Sequence, residues 1–325
     1  MKRSMFLTAA GSAVAAGSLP RFARAAESDI SLETATGTIY GTLTLPAGNA
    51  PVPIVLIVAG SGPTDRDGNS PGLPGKNDAY KLLAAALAQR GIASIRYDKR
   101  GIAASAAAMP SGGEAALRFD DYVSDAAAWL KKIAADRRFT RAVVAGHSEG
   151  SLIGMIAAQR APLSGYVSLE GAGRPAATVL REQLQKNLPA PLFSQSESII
   201  ASLQSGKTVP LEAGSPLAPL FRASVQPYLI SWFKYDPAAE IAKVRVPAAI
   251  VQGTADVQVG MADAQALAHG NPSAKLVVVD GMNHVLKHAP DISSQAAVLK
   301  GYTDPALPVE PLVVQTIASL ALSPA

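Results

Sequence analysis

Six near-continuous apolar runs constrain this chain more than any other feature: residues 54–59, 92–97, 142–145, 165–169, 248–252 and 276–279. A strand with one wet face alternates apolar and polar residues; these runs do not alternate, and so read as strands covered on both faces. Helical patterns separate or follow most of them, over 77–90, 119–135, 151–160 and 261–269. Strands alternating with helices require crossover connections, which are right-handed. The expected fold class is therefore α/β, with a mostly parallel central sheet and helices on both faces. The 325 residues are enough to bury such a core in one large domain. Residues 32–33 and 38–45 are expected to add an antiparallel hairpin at one edge.

Between residues 171 and 246 the alternation stops. Pro175, Pro189, Pro191, Pro210, Pro216, Pro219, Pro227 and Pro237 break this stretch into short pieces, with amphipathic segments near 177–187 and 196–203. It reads as a helical cap insertion covering one edge of the sheet. Leu180, Leu184 and Leu188, spaced by four, are expected to pack on the core. Phe193, Phe221, Trp232, Phe233 and Tyr235 are candidates for lining a substrate pocket, and Arg174 for meeting either a substrate carboxylate or a local acid.

Gly146-His147-Ser148-Glu149-Gly150 is a G-x-S-x-G pentapeptide directly after one apolar run and directly before a helical pattern. A serine on a sharp strand-to-helix turn needs neighbours without a Cβ, which makes Ser148 the candidate nucleophile. A hydroxyl needs a general base, normally an imidazole oriented by a carboxylate. Of the four histidines, His147 adjoins the nucleophile and is expected to project away from it, while His269 ends a helical pattern. His284 lies in a loop just past the run 276–279, where it can reach over the carboxyl edge of a parallel sheet; His288, four residues on, is the alternative. Asp256, just after the run 248–252, is the candidate acid, with Glu170 at the end of 165–169 as its competitor.

The order Ser148, Asp256, His284 is that of the α/β-hydrolases, and the chain resembles that superfamily over most of residues 30–320. Three segments together look like a branch of bacterial serine esterases: residues 59–69 (Ala-Gly-Ser-Gly-Pro-Thr-Asp-Arg-Asp-Gly-Asn), 96–101 (Arg-Tyr-Asp-Lys-Arg-Gly) and 146–150. The resemblance implies an α/β-hydrolase fold and an oxyanion hole made by the backbone N–H groups of Ser61 and Glu149. This chain has Ala59-Gly60 where many relatives carry His-Gly, which leaves Gly62 open as the donor in place of Ser61. Asp65, Arg66, Asp67, Asp98 and Arg100 are expected to form a network of ion pairs and turns under that loop. Neither a dinucleotide fingerprint nor a calcium loop fits: the third glycine position is Asp65, and the position needing a bidentate Glu is Lys76. No cofactor and no metal is expected.

At the N-terminus, Lys2 and Arg3 precede a modestly apolar run over 5–19, followed by Ala23-Arg24-Ala25. Residues 1–25 thus read as a signal peptide, resembling a twin-arginine signal with lysine in the first position, and 26–325 as the hydrolase domain with its cap at about 171–246. The run is too short for a membrane span. Removing the four basic residues of 1–25 from the 29 in the chain leaves 25, against 25 acidic ones, so nothing in the charge argues for nucleic acid or anionic membranes. With no cysteine, disulfides and a thiol nucleophile are excluded.

The expected function is an exported, periplasmic serine hydrolase cleaving small or medium carboxylic esters through Ser148, His284 and Asp256. A serine peptidase or amidase, an acyltransferase, and a non-catalytic binding protein are the alternatives. The expected partner is a small-molecule ester, with no nucleic acid and no stable membrane insertion; the sequence leaves the oligomeric state open.

Overall fold

A computed structural model describes residues 25–212 and 214–323, so the expected signal peptide, apart from its last residue, lies outside the described residues. Eight strands form one sheet: β1 (Ala26–Thr34), β2 (Gly37–Leu45), β3 (Val52–Val58), β4 (Ala93–Tyr97), β5 (Phe139–His147), β6 (Gly165–Leu169), β7 (Ala248–Gly253) and β8 (Lys275–Val279). Their spatial order is β1-β2-β4-β3-β5-β6-β7-β8. β1 pairs antiparallel with β2, and β2 antiparallel with β4, while every other pairing is parallel. Each of the six apolar runs forms a strand of this sheet.

The lack of alternation has a direct cause. Ile54, Leu56 and Val58 of β3 point into one core with Trp129, Ile153 and Met155, while Val55 and Ile57 point into a second core with Leu83, Leu87 and Ile317. Both faces of the pleat are therefore dry. The first core lies under α2 (Phe119–Ala134) and α3 (Glu149–Ala157). The second lies under α1 (Ala79–Ala88) and α11 (Pro311–Leu322).

Five helices fill the stretch between β6 and β7: α4 (Ala176–Asn187), α5 (Ala190–Gln204), α6 (Ala218–Phe221), α7 (Gln226–Trp232) and α8 (Pro237–Ile241). Leu184 is buried, and Leu180 and Leu188 pack half-buried against the first core, as their spacing predicts. Then α9 (Met261–Gly270) crosses to β8, and α10 (Gln295–Thr303) precedes α11. Among the described residues no helix is long and apolar enough to cross a membrane.

Some elements depart from the sequence reading. β1 runs from Ala26, six residues earlier than expected, in continuous register from Ala26 opposite Leu45 to Thr34 opposite Gly37. Its first residues are polar and exposed because it is an edge strand, so it carries no apolar signature. β5 starts at Phe139, ahead of the apolar residues 142–145.

At the carboxyl edge, β5 ends in His147, for which the sequence reading expects only that it projects away from Ser148. It is buried, with Nδ1 2.7 Å from the Tyr80 hydroxyl and Nε2 2.6 Å from the carbonyl oxygen of His284. Its ring lies 4.8 Å from that of His284, centroid to centroid. Burial, reinforced by the nearby His284 and opposed by its bond to the His284 carbonyl and by Asp256, lowers the His147 pKa to about 3. The unfolded chain takes up this proton from about pH 6.5 downward, so the stability due to neutral His147 is complete above that pH and is lost as pH falls towards 3. Denaturant unfolding should show a loss of about 2 to 3 kcal/mol between pH 6.5 and 4.5, and His147→Gln should flatten that dependence. Equal slopes for the two proteins would assign the acid sensitivity elsewhere.

Candidate active site

Ser148 sits between β5 and α3 with φ 54° and ψ −121°, a backbone conformation that costs a non-glycine residue on the order of 1–3 kcal/mol. Its N–H donates to the Leu169 carbonyl at 2.9 Å, and its own carbonyl accepts from the Ser151 N–H at 3.0 Å. The flanking glycines are required by contact: a Cβ on Gly146 would strike the Gly150 carbonyl, and one on Gly150 would strike the carbonyl of Val58. No larger residue fits at either position, so the pentapeptide is a packing solution that presents one serine at the sheet edge.

Asp256 follows β7 and His284 follows β8, neighbouring strands whose carboxyl ends lie side by side. His284 Nδ1 is 2.7 Å from Asp256 Oδ2, and both side chains are almost fully buried. The other carboxylate oxygen, Oδ1, accepts from the backbone N–H groups of Gln258 at 2.7 Å and Val259 at 3.1 Å. Burial pushes the Asp256 carboxyl upward, but the charge and hydrogen bond of His284 outweigh it and bring its pKa down to about 2. Asp256 is thus ionised and aimed at the imidazole.

The competitors go elsewhere. Glu170 is fully buried, and accepts from the Gly253 N–H at 2.8 Å and from Gln252 Nε2 at 2.5 Å. Burial, then the charge of nearby Asp256, raises its carboxyl well above the usual range. His288 pairs with Glu310 at the surface, and His269 is exposed on α9.

On the opposite side of Ser148, Lys99 is buried with its Nζ 2.6 Å from the Gly60 carbonyl and 2.9 Å from Glu149 Oε2. In a planar trans peptide the C=O and the following N–H point in opposite directions. Tying the Gly60 carbonyl to Lys99 therefore turns the Ser61 N–H away from Lys99. The Gly60 N–H is already bonded to Tyr80 Oη at 3.1 Å, and the Ser61 carbonyl accepts from the Thr64 hydroxyl at 3.0 Å. The Glu149 N–H opens α3, where helix N–H groups have no intrahelical acceptor. Sequence reasoning missed the roles of Lys99 and Tyr80: Lys99 falls in the segment 96–101 that carries the resemblance, but its reach to Gly60, like that of Tyr80 to His147, is set by tertiary structure.

Two cavities flank this point. One, of about 110 Å³, contains Ser148 and His284 and is lined further by Ser61, Tyr80, Gln258 and Tyr302. No hydrogen bond joins Ser148 Oγ to the His284 ring in this state. The second, of about 260 Å³, lies past Gly62 and Glu149, beneath cap residues Val225 and Tyr228. None of Phe193, Phe221, Trp232, Phe233 and Tyr235 lines either cavity. Trp232 and Tyr235 pack around Phe119 instead, because the short cap helices need aromatic area to hold them to α2.

The loop network is present in the expected form. Arg66 pairs with Asp98 at 2.8 Å, Arg96 with Asp67 at 2.8 Å, and Asp65 Oδ1 accepts from the N–H groups of Asp67 and Asn69. Arg100 departs from it and binds Asp125 of α2, with Nε 2.8 Å from Oδ2. Arg174 is held by Asp263 and Glu182, the local acids of the two options. Among the described residues no group of three or more His, Asp or Glu side chains is placed to hold a metal ion.

Comparison with known proteins agrees with this architecture. A family model described as "Serine aminopeptidase, S33" matches residues 70–200, which include the serine turn. Esterase EstD of Thermotoga maritima is 27% identical over 269 residues, covering 81% of this chain; the chain spans 62% of that relative's length. Est1E from Butyrivibrio proteoclasticus, solved with ferulic acid, superposes with a TM-score of 0.57 at 18% identity, over 83% of this chain and 96% of that one. A 2,6-dihydroxy-pseudo-oxynicotine hydrolase gives a TM-score of 0.56 at 15% identity, over 91% of this chain and 68% of its own. With its mixed eight-stranded sheet, its serine turn after β5 and these similarities, the chain has the α/β-hydrolase fold.

Proposed function

We propose that the protein is a serine hydrolase of small or medium carboxylic esters, with Ser148, His284 and Asp256 as its catalytic triad. The observation that carries this reading is the ionised Asp256 held 2.7 Å from His284 Nδ1, with the other face of the imidazole loop opening into the cavity of the strained Ser148. Apo structures commonly leave the nucleophile–base hydrogen bond to form with substrate. Ser148 Oγ attacks the ester carbonyl as His284 Nε2 takes its proton, and Asp256 stabilises the imidazolium. The N–H groups of Ser61 and Glu149 receive the developing oxyanion. His284 then protonates the departing alcohol, and water releases the acyl group by the same steps. The similarity to an enzyme named as an esterase supports this choice of substrate.

The matching family model, by its description, favours a second reading, an aminopeptidase. Such an enzyme needs a carboxylate to receive the substrate's α-ammonium group. None lines the Ser148 cavity, and both carboxylates of the neighbouring one, Glu114 and Glu149, are already paired with Arg222 and Lys99. Ester cleavage is therefore preferred. Export to the periplasm is part of the proposal, supported by Lys2, Arg3 and the small-residue site at Ala23-Arg24-Ala25.

Ser148→Ala and His284→Ala should each lower kcat by about 10⁴-fold or more, and Asp256→Asn by somewhat less, in steady-state assays on short-chain esters. An enzyme crippled by Glu170→Gln but not by Asp256→Asn would exchange the two acids. N-terminal sequencing of protein recovered from outside the cytoplasm should begin near Ala26, and an intact Met1 in the cytoplasmic fraction would rule out export.

A further inference from the structure

The cavity that holds Ser148 and the one lined by the adjoining Gly62 and Glu149 are of different size and chemistry, and the position of His284 decides which part of an ester each receives. In the tetrahedral intermediate the reacting carbon carries Ser148 Oγ, the oxyanion, the acyl substituent and the alkoxy oxygen. The bond that breaks is the one to the alkoxy oxygen, and the proton that oxygen needs comes from His284 Nε2, so it must lie within hydrogen-bond reach of the imidazole. His284 borders the cavity of about 110 Å³ and does not border the one of about 260 Å³. Ser61 faces the first, whereas Gly62 and Glu149 face the second, so the oxyanion donors stand on the divide. With the oxygen fixed there and the alkoxy group on the His284 side, the acyl substituent has one direction left.

We infer that the larger cavity is the acyl site and the smaller one the alcohol site, and that the substrates are esters of a medium-length apolar acyl group with a small polar alcohol. This rests on the ester-hydrolase reading above. The acyl site is lined by Ile102, Met109, Leu117, Tyr122, Val225 and Tyr228, drawn from the loop after β4, from α2 and from the cap. Its charged groups do not compete for an apolar ligand. Lys99 and Glu149 are paired at 2.9 Å and buried, the Tyr228 hydroxyl donates to Glu149 at 2.6 Å, and Arg222 is bound to Glu114 at the rim. A cavity of about 150 Å³ takes up benzene, so about 260 Å³ holds an acyl group of roughly six to ten heavy atoms.

The alcohol site is smaller and polar. Tyr302 of α10 reaches into it, with its hydroxyl oxygen 3.3 Å from Gln258 Nε2. Since that amide nitrogen only donates, the Tyr302 O–H remains free to donate into the cavity towards a hydroxyl or ether oxygen of the leaving group. Val285, beside His284, bounds the same space.

Initial rates on two ester series test the assignment: ethyl esters from acetate to decanoate, and butyrate esters from methanol to hexanol. With the unaltered enzyme, kcat/KM should rise about tenfold or more from ethyl acetate to ethyl hexanoate and fall about tenfold or more from ethyl to hexyl butyrate, each a change of four methylenes, where even one in a closed pocket is worth about tenfold or more. Val225→Trp should cut the hexanoate-to-acetate ratio without moving the alcohol ratio, and Val285→Phe should do the converse. Val225→Ala, which needs no extra space in the fold, should raise decanoate relative to hexanoate. Substitutions at Val225 that shift the alcohol ratio, or that shift neither ratio, would overturn the assignment. Labelling by a fluorophosphonate, lost in Ser148→Ala, separates the two levels. A protein that labels but shows exchanged ratios has the proposed chemistry with the sites reversed, and one that neither labels nor cleaves any ester refutes both.

Discussion

The buried pair of Lys99 and Glu149 holds together the two segments on which the site depends. One is the loop after β3, whose Gly60 carbonyl Lys99 binds; the other is the start of α3, where Glu149 follows the serine. Burying an ammonium and a carboxylate costs several kcal/mol per ion unless hydrogen bonds complete them. Here Lys99 also lies 4.8 Å above the Tyr122 ring, and Glu149 takes a second bond from Tyr228 of the cap. The loop, the helix that follows Ser148 and the cap thus converge on one pair of charges. Removing either partner would leave the other buried and unpaired, a penalty of about 3–5 kcal/mol falling on the site and not on a distant core.

Around that pair, the sheet does the coarse positioning. β3, β5, β6, β7 and β8 run parallel, so the loops that follow them emerge at one edge. Crossovers on both faces keep these strands dry and rigid. The backbone strain at Ser148 is tolerated because the hydrogen bond to Leu169 and the glycine contacts to β3 and α3 leave the turn no alternative conformation.

The parts of this design legible in the sequence are those with a local signature. Residues 54–59 and 248–252 announce buried strands because both of their faces are covered, and the glycines at 146 and 150 announce the turn because no Cβ fits there. Only the first part of β1, ahead of Leu32, was hidden, because Ala26–Ile30 pair with β2 at an edge where no apolar face is needed. Glu170 and Asp256 could not be separated by position alone: β6 and β7 are neighbours, and both acids sit at the same edge. Hydrogen bonds separated them, one carboxylate going to His284 and the other to Gly253 and Gln252. Lys99, Tyr80 and Tyr302 act across long stretches of chain, and the local sequence, including the segment 96–101 that holds Lys99, does not show what they reach.

His147 carries a consequence for how protons are arranged behind the site. Its Nε2 meets a carbonyl oxygen, which can only accept, so that nitrogen must carry the hydrogen and Nδ1 must be the acceptor. The Tyr80 hydroxyl is then obliged to donate to Nδ1, which turns a lone pair towards the Gly60 N–H. The sequence Gly60 N–H, Tyr80 O–H, His147 N–H, His284 carbonyl has a single polarity from end to end, with no second way of placing its hydrogens. It behaves as a spacer of fixed length between the loop that carries Ser61, a proposed oxyanion donor, and the loop that carries His284, the proposed base. Any drift of one loop relative to the other breaks a buried bond, so the separation between the two loops is gauged by side chains in the wall of the Ser148 cavity.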